Sequence, residues 1–281
     1  MKKIAPFLVI LVLMTMACNI TLNLTPEPEP VIINPGTGSN PEPTSGGPVV
    51  PTVFPANVSC NRVSFYLDPA IGTNYTCDTI PEANEPDMPY FAINPEYTAI
   101  TIQGYPLGGD TFFEAHINVY PFQRFRELIP GANDDYSYLV RLLSGELPGE
   151  MALPFLPYLG AGQVFHAQYS ILTFHNGSGI RYLTEFAQYT AAVNNQDLFY
   201  TFQGVTSDGQ YWISATMPVN HPMLPADSAN PPDGQSWEDF SNNYGPYIAD
   251  MKLQLDSQSW DSYTPRLGML DDLIASITIQ P

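Results

Sequence analysis

The sequence predicts an α+β domain in which helices pack on an antiparallel sheet. Three observations carry this. Strand-like alternation fills much of residues 58–219. Asn-Gly and Asp-Gly turns separate strand pairs within it, and these are strong hairpin signals. Helical spacing comes in the middle and at the C-terminal end, so strands and helices are segregated rather than alternating. In order, "RVSFYLD" alternates as a strand and stops at Asp68-Pro69. A proline-broken connection runs to Pro95. "YTAITIQGYPL" and "FFEAHINVYPF" follow as two strands around the turn "PLGGD". Two helices are expected next, "PFQRFREL" and "NDDYSYLVRLLSG". The second has Asn133 as N-cap, acids in its first turn, and Leu139, Leu142 and Leu143 at helical spacing. "ELPGEMALPFLPYLGAG" holds too many Pro and Gly for regular structure. Then come four strands. "QVFHAQYSILTFH" and "IRYLTEFAQ" flank "NGSG"; "LFYTFQG" and "QYWISATMPV" flank "TSDG". The tail predicts a helix from Ser236 to about Gln258, interrupted near Gly245-Pro246. It predicts another from Thr264 to Ile277, with Leu267, Leu270, Leu273 and Ile274 on one face.

The chain has 281 residues, 44% hydrophobic and 12% aromatic, which suits a folded domain and excludes wholesale disorder. Nine Lys and Arg stand against 28 Asp and Glu, for a net charge of −19. Such a surface repels phosphate backbones, so nucleic acid is not an expected partner. It also repels anionic headgroups, so membrane attachment needs something other than charge.

The N-terminus supplies that. Lys2 and Lys3 precede an apolar run, Ile4 to Ala17, too short to span a bilayer. This is the pattern of a secretory signal, residues 1–17. "TMAC" resembles a bacterial lipobox, in which a diacylglycerol is attached to the cysteine thiol before the signal is cut away. The resemblance implies lipidation at Cys18, a membrane partner through the N-terminal lipid, and an extracytoplasmic location. Thr15 stands where that motif prefers Leu. Thr15-Met16-Ala17 also suits the ordinary signal peptidase, which would yield a secreted protein. Without residues 1–17, seven basic residues face 28 acidic ones, a net charge of −21. Residues 18–57 are rich in Pro, Gly, Ser and Thr and read as a tether, leaving 58–281 as a single α+β domain.

Cys60 and Cys77 stand 17 apart at the entry to that domain. In an oxidising compartment such a pair closes, so a structural disulfide is expected. No cysteine is left for a zinc cluster, and none of the four histidines has metal-ligand spacing with another; neither metal nor cofactor is expected. No G-x-S-x-G elbow occurs, "GYPLGGD" lacks the ending of a phosphate loop, and "HNGSGI" reads as a hairpin tip. Five Asn-x-Ser/Thr sequons, at Asn19, Asn23, Asn57, Asn74 and Asn176, carry no assignment beside a lipobox-like start.

Alternation suggests one possible site. With each hairpin paired about its turn, Phe165, Ala167, Tyr169 and Ile171 share an apolar side with Tyr182 and Phe186. The other side collects His166, Gln168, Arg181, Glu185, Gln203 and Trp212, with several Ser and Thr. This polar face reads either as covered by helices or as a surface for an unknown protein or small-molecule ligand. Arg181 would meet an acid from a covering helix in the first case and an anionic group in the second. The leading expectation is a lipid-anchored extracytoplasmic binding or assembly module without catalysis. The alternative is an exported hydrolase using His166 or His175 with a serine or carboxylate.

In element order the region from Ser64 to Ile277 resembles the PsbP-like sandwich fold. The segments "GIRYLTEFAQ" and "LFYTFQGVTSDGQYW" resemble those of uncharacterised bacterial lipoproteins. The resemblances imply a fold and a membrane-anchored family, and no activity.

Overall fold

The computed structural model describes residues 55–107 and 111–281. The signal segment, Cys18, most of the tether and part of the "PLGGD" turn lie outside the described residues. The fold is α+β, with a seven-stranded antiparallel sheet and packed helices. In chain order the strands are β1 (Val58–Cys60), β2 (Val63–Phe65), β3 (Asn74–Ile80), β4 (Tyr97–Gln103) and β5 (His116–Pro121). Next come helices α1 (Phe122–Leu128) and α2 (Ala132–Leu143). Then come β6 (Gly162–Gln163), β7 (Ala167–Phe174), β8 (Gly177–Thr184), β9 (Phe186–Ala187), β10 (Phe199–Thr206) and β11 (Tyr211–Pro218). The chain ends with α3 (Trp237–Asn242), α4 (Tyr244–Asp256), α5 (Leu267–Ala275) and β12 (Thr278–Ile279). The main sheet runs β3-β4-β5-β11-β10-β8-β7, and a small sheet runs β1-β2-β12.

Both faces of the main sheet are covered. On one, Leu183, Tyr200, Phe202, Ile213 and Ala215 pack with Leu267, Leu270, Leu273 and Ile274 of α5 and with Val63 and Phe65 of the small sheet. On the other, Ile180, Tyr182, Val205 and Trp212 pack with Phe122 and Phe125 of α1 and Leu139 and Leu142 of α2. The Pro-rich stretch contributes Leu153, Phe155 and Leu156 to this second core. It is ordered because sheet side chains replace the missing ladder: Gln163 accepts from the Leu153 amide at 2.8 Å, and Tyr182 donates to the Pro154 carbonyl at 2.9 Å.

Cys60 and Cys77 are joined, with Cα atoms 5.6 Å apart, within the usual reach of a disulfide. The bond ties the end of β1 to the edge strand β3 and so holds the small sheet against the large one. Closing a loop of this length contributes about 3 kcal/mol in the chain-entropy account. The disulfide fits an extracytoplasmic protein. Among the described residues no helix is long and apolar enough to cross a membrane.

The structure corrects several expectations. "NYTCDTI", read as connection, is strand β3; on a sheet edge most of its residues stay exposed, so it lacks apolar alternation. Helix α2 begins at Ala132, and Asn133 does not cap it: its amide donates back to the Pro130 carbonyl at 2.9 Å. The tail helix breaks at Asn243, with Gly245-Pro246 inside the first turn of α4, where a proline removes no helical bond. The last predicted helix is shorter, Leu267–Ala275, and Thr278–Ile279 pair with β2.

Candidate functional site

The six residues grouped as one polar face divide between both faces of the sheet. Arg181 stands opposite Phe202 in the ladder, while Gln203 stands opposite Ile180 and Ser214. Arg181 and Gln203 therefore point to opposite sides. Two features defeat the alternation. The relative register of two hairpins is free to shift by one residue, which inverts every side chain. A β-bulge also interrupts β7: Ala167 pairs with Leu183 and Ser170 with Arg181, so three steps on one strand match two on the other. The bulge sits at Gln168, whose φ is 53°. Ala167 consequently joins Leu183 and the α5 core, whereas Tyr169 packs with Tyr182 on the far side.

None of the six lies on an open surface. All are under 10% exposed, Arg181, Gln203 and Trp212 completely buried. Five of the six are held by hydrogen-bond partners; the exception is His166. Arg181 donates Nε to Asp271 Oδ1 at 3.1 Å and Nη2 to Oδ2 at 3.0 Å, a bidentate pair with α5. Its Nη1 donates to the Gln168 carbonyl, and its plane lies 4.7 Å from the Trp260 ring centroid. Tyr200 donates to the same carboxylate at 3.0 Å. The bulge puts the Gln168 side chain at the end of α4, where Nε2 donates to the carbonyls of Leu255 at 2.7 Å and Gln258 at 3.0 Å. It supplies partners for carbonyls that a helix terminus leaves unpaired. On the opposite face Gln203 accepts from Trp212 Nε1 at 2.9 Å and the Leu156 amide at 3.0 Å. It donates to Thr201 at 3.0 Å and Ser214 at 2.9 Å. Its amide capacity is filled.

Glu185 accepts from the Asn194 amide at 2.8 Å at the sheet's margin. Burial pushes its carboxyl well above the usual range; the Asn194 amide pulls it partly back, and nearby Asp197 pushes it further up.

The histidines do not form a catalytic pair. Among the described residues, the His166 ring makes no hydrogen bond, and burial lowers its pKa. His175 is exposed beside the β7–β8 turn, and its backbone amide donates to the Ile277 carbonyl. His221 does meet a serine, Ser262, with Nε2 and Oγ 2.9 Å apart. The Met223 amide donates to His221 Nδ1 at 3.3 Å, which leaves the proton on Nε2. Nε2–H then donates to Ser262, whose hydroxyl donates to the Ser259 carbonyl at 2.6 Å. A general base needs the reverse polarity, so this pair fastens two loops.

An open, polar groove of about 420 Å³ lies where the small sheet meets the ends of β3, β4, β5 and β11. Its walls include Asn61, Arg62, Thr79, Glu96, Thr98 and Tyr211. Asn61 and Arg62 are the two-residue turn between β1 and β2, closed by the Cys60–Val63 pair. Asn61 is left-handed there, φ 51°, a conformation Asn adopts at low cost. Its Nδ2 donates to the hydroxyls of Thr79 and Thr98, 3.2 Å each, and so fixes one wall. The Arg62 guanidinium stacks on Tyr211, 4.6 Å from the centroid, and Nη1 donates to the Gln280 carbonyl at 3.3 Å. Of the seven basic side chains in the described residues, five are ion-paired. Arg126 lies over Phe122 and Tyr136, and Arg62 alone lines the groove. Reading along the sequence missed this site because its walls come from six separated segments.

Comparison with protein-family models, with curated proteins and with solved structures found no match.

Proposed function

We propose that the protein is a lipid-anchored extracytoplasmic binding module, held to a membrane through Cys18 and presenting the groove beside Arg62 to a ligand. The observation that carries this is the contrast between sealed and open polar surface. Arg181, Gln168, Gln203 and Trp212 spend their polar groups in internal bonds, whereas Asn61, Arg62, Thr79 and Glu96 of the groove reach solvent. The disulfide supports an oxidising location. The "TMAC" segment supports anchoring, and the Pro-rich stretch after it supports a spacer between lipid and domain. The strongly acidic chain has no attraction of its own for an anionic bilayer, so the lipid has to supply the attachment.

Expression in a bacterium tests the anchor. The protein is expected in the detergent-soluble membrane fraction, and Cys18→Ser is expected to abolish processing or release the protein. A mature chain beginning at unmodified Cys18, or wild type found in the soluble fraction, contradicts anchoring.

A further inference from the structure

We infer that the groove beside Arg62 takes a neutral, polyhydroxylated ligand, a saccharide of one or two rings. The inference deepens the binding-module reading and rests on it. The volume, about 420 Å³, sits in the lower part of the range for small-molecule sites, roughly 300–1,000 Å³. A macromolecular partner would need a broad contact surface instead.

The chemistry of the walls narrows the class. Both donors and acceptors line the groove. Thr79, which is exposed, accepts from Asn61 and so keeps its own O–H group for a ligand. Arg62 uses one N–H toward Gln280, and the rest of its planar fork has no protein acceptor among the described residues. Asn61 Oδ1 and the Glu96 carboxylate supply acceptors. A hydroxyl donates and accepts at once, so a ring carrying several of them meets such a mixed wall without leaving a group unpaired. Stacking on Tyr211 holds the Arg62 fork flat and so lowers the ordering cost of each bond it makes.

Charge decides between a neutral and an anionic ligand. Arg62 is one cation; Glu96 stands on the same wall, and the chain from Cys18 onward carries −21. A phosphate or carboxylate would gain one fork and meet repulsion from the wall and the surrounding surface. A neutral polyol gains the fork and the carboxylate together.

The test titrates the full mature protein by calorimetry with neutral disaccharides (cellobiose, maltose, chitobiose), a uronic-acid disaccharide and inorganic phosphate. At least one neutral disaccharide is expected to bind with a Kd near or below about 1 mM, some 4 kcal/mol. Arg62→Ala is expected to weaken it at least tenfold while melting stays put. Arg62→Lys should recover little, because the fork and not the charge is used. Thr79→Val, on an exposed edge strand, tests the same wall without risk to the core. Binding that survives both Arg62→Ala and Thr79→Val, or no neutral disaccharide bound at 10 mM, overturns the inference. Arg62-dependent binding of phosphate or the uronic acid also overturns it, yet leaves the binding-module reading standing.

Discussion

Arg181→Ala is expected to cost about 3–5 kcal/mol, the penalty for leaving the partner of a buried pair alone. The substitution strands the Asp271 carboxylate, 13% exposed, and the Gln168 carbonyl of the bulge. It also removes the cation from the face of Trp260. For a domain of this size, each kcal/mol moves the midpoint by roughly 2–4 °C, so melting falls by about 6–20 °C. Arg181→Met with Asp271→Leu, which deletes both charges and keeps the volume, is expected to recover part of the loss: desolvation of both ions is avoided, while the Gln168 carbonyl and the Tyr200 hydroxyl stay unpaired. Thermal melting of the three proteins measures this. A shift under 1 °C for Arg181→Ala would mean that the pair is not buried. Binding at the groove proposed beside Arg62, which Arg181 does not line, is expected to be unchanged wherever Arg181→Ala remains folded.

The second large effect is a dependence on pH whose sign is opposite to that of an ordinary carboxylate. The folded state holds the Glu185 proton more tightly than the unfolded chain does, because burial penalises the charged form. Its contribution is therefore fully present below the ordinary value of 4.5 and is lost as pH rises toward the raised folded value. The slope reaches at most about 1.4 kcal/mol per pH unit. His116, His166 and His221 act oppositely: burial depresses each, the unfolded chain takes up the protons, and stability falls as pH drops below 6.5. Glu185→Gln isolates the first contribution, since a glutamine oxygen still accepts from the Asn194 amide. The variant is expected to gain stability over wild type as pH rises from 5 toward the raised folded value. A difference that is constant across that range contradicts the buried neutral carboxyl.

Much of the fold could be read along the chain because the central strands alternate strongly and their turns are chemically explicit. The hairpins β7–β8 and β10–β11, the helices over 122–143 and the apolar face of α5 all have local causes. What failed was non-local. The polar strand β3 takes its place from the disulfide and from pairing with β4, neither of which leaves a periodic trace. The rarity of Arg181 marked it as a residue with a partner, but the side it faces depends on a bulge and on one hairpin's register against another. Asp271, 90 residues away, completes the pair. The groove is harder still: Asn61, Thr79, Thr98 and Tyr211 share no pattern until β4, β5 and β11 bring them together. The one trace in the sequence is Arg62 itself, an arginine in a turn between strands of a chain with few cations.

The polar interior of the sheet is sealed, while the groove at its end is open. Two neighbours in β11 report on both. Tyr211 lines the groove and is partly exposed, whereas Trp212 is wholly buried under α1 with its indole bonded to Gln203. Hydroxyl-radical footprinting of the mature protein, read residue by residue by mass spectrometry, is expected to label Tyr211 and leave Trp212 unmodified. Adding the disaccharide that binds best is expected to protect Tyr211 alone of the two. Labelling of Trp212 in the free protein, or a Tyr211 that is unreactive from the start, would contradict the account.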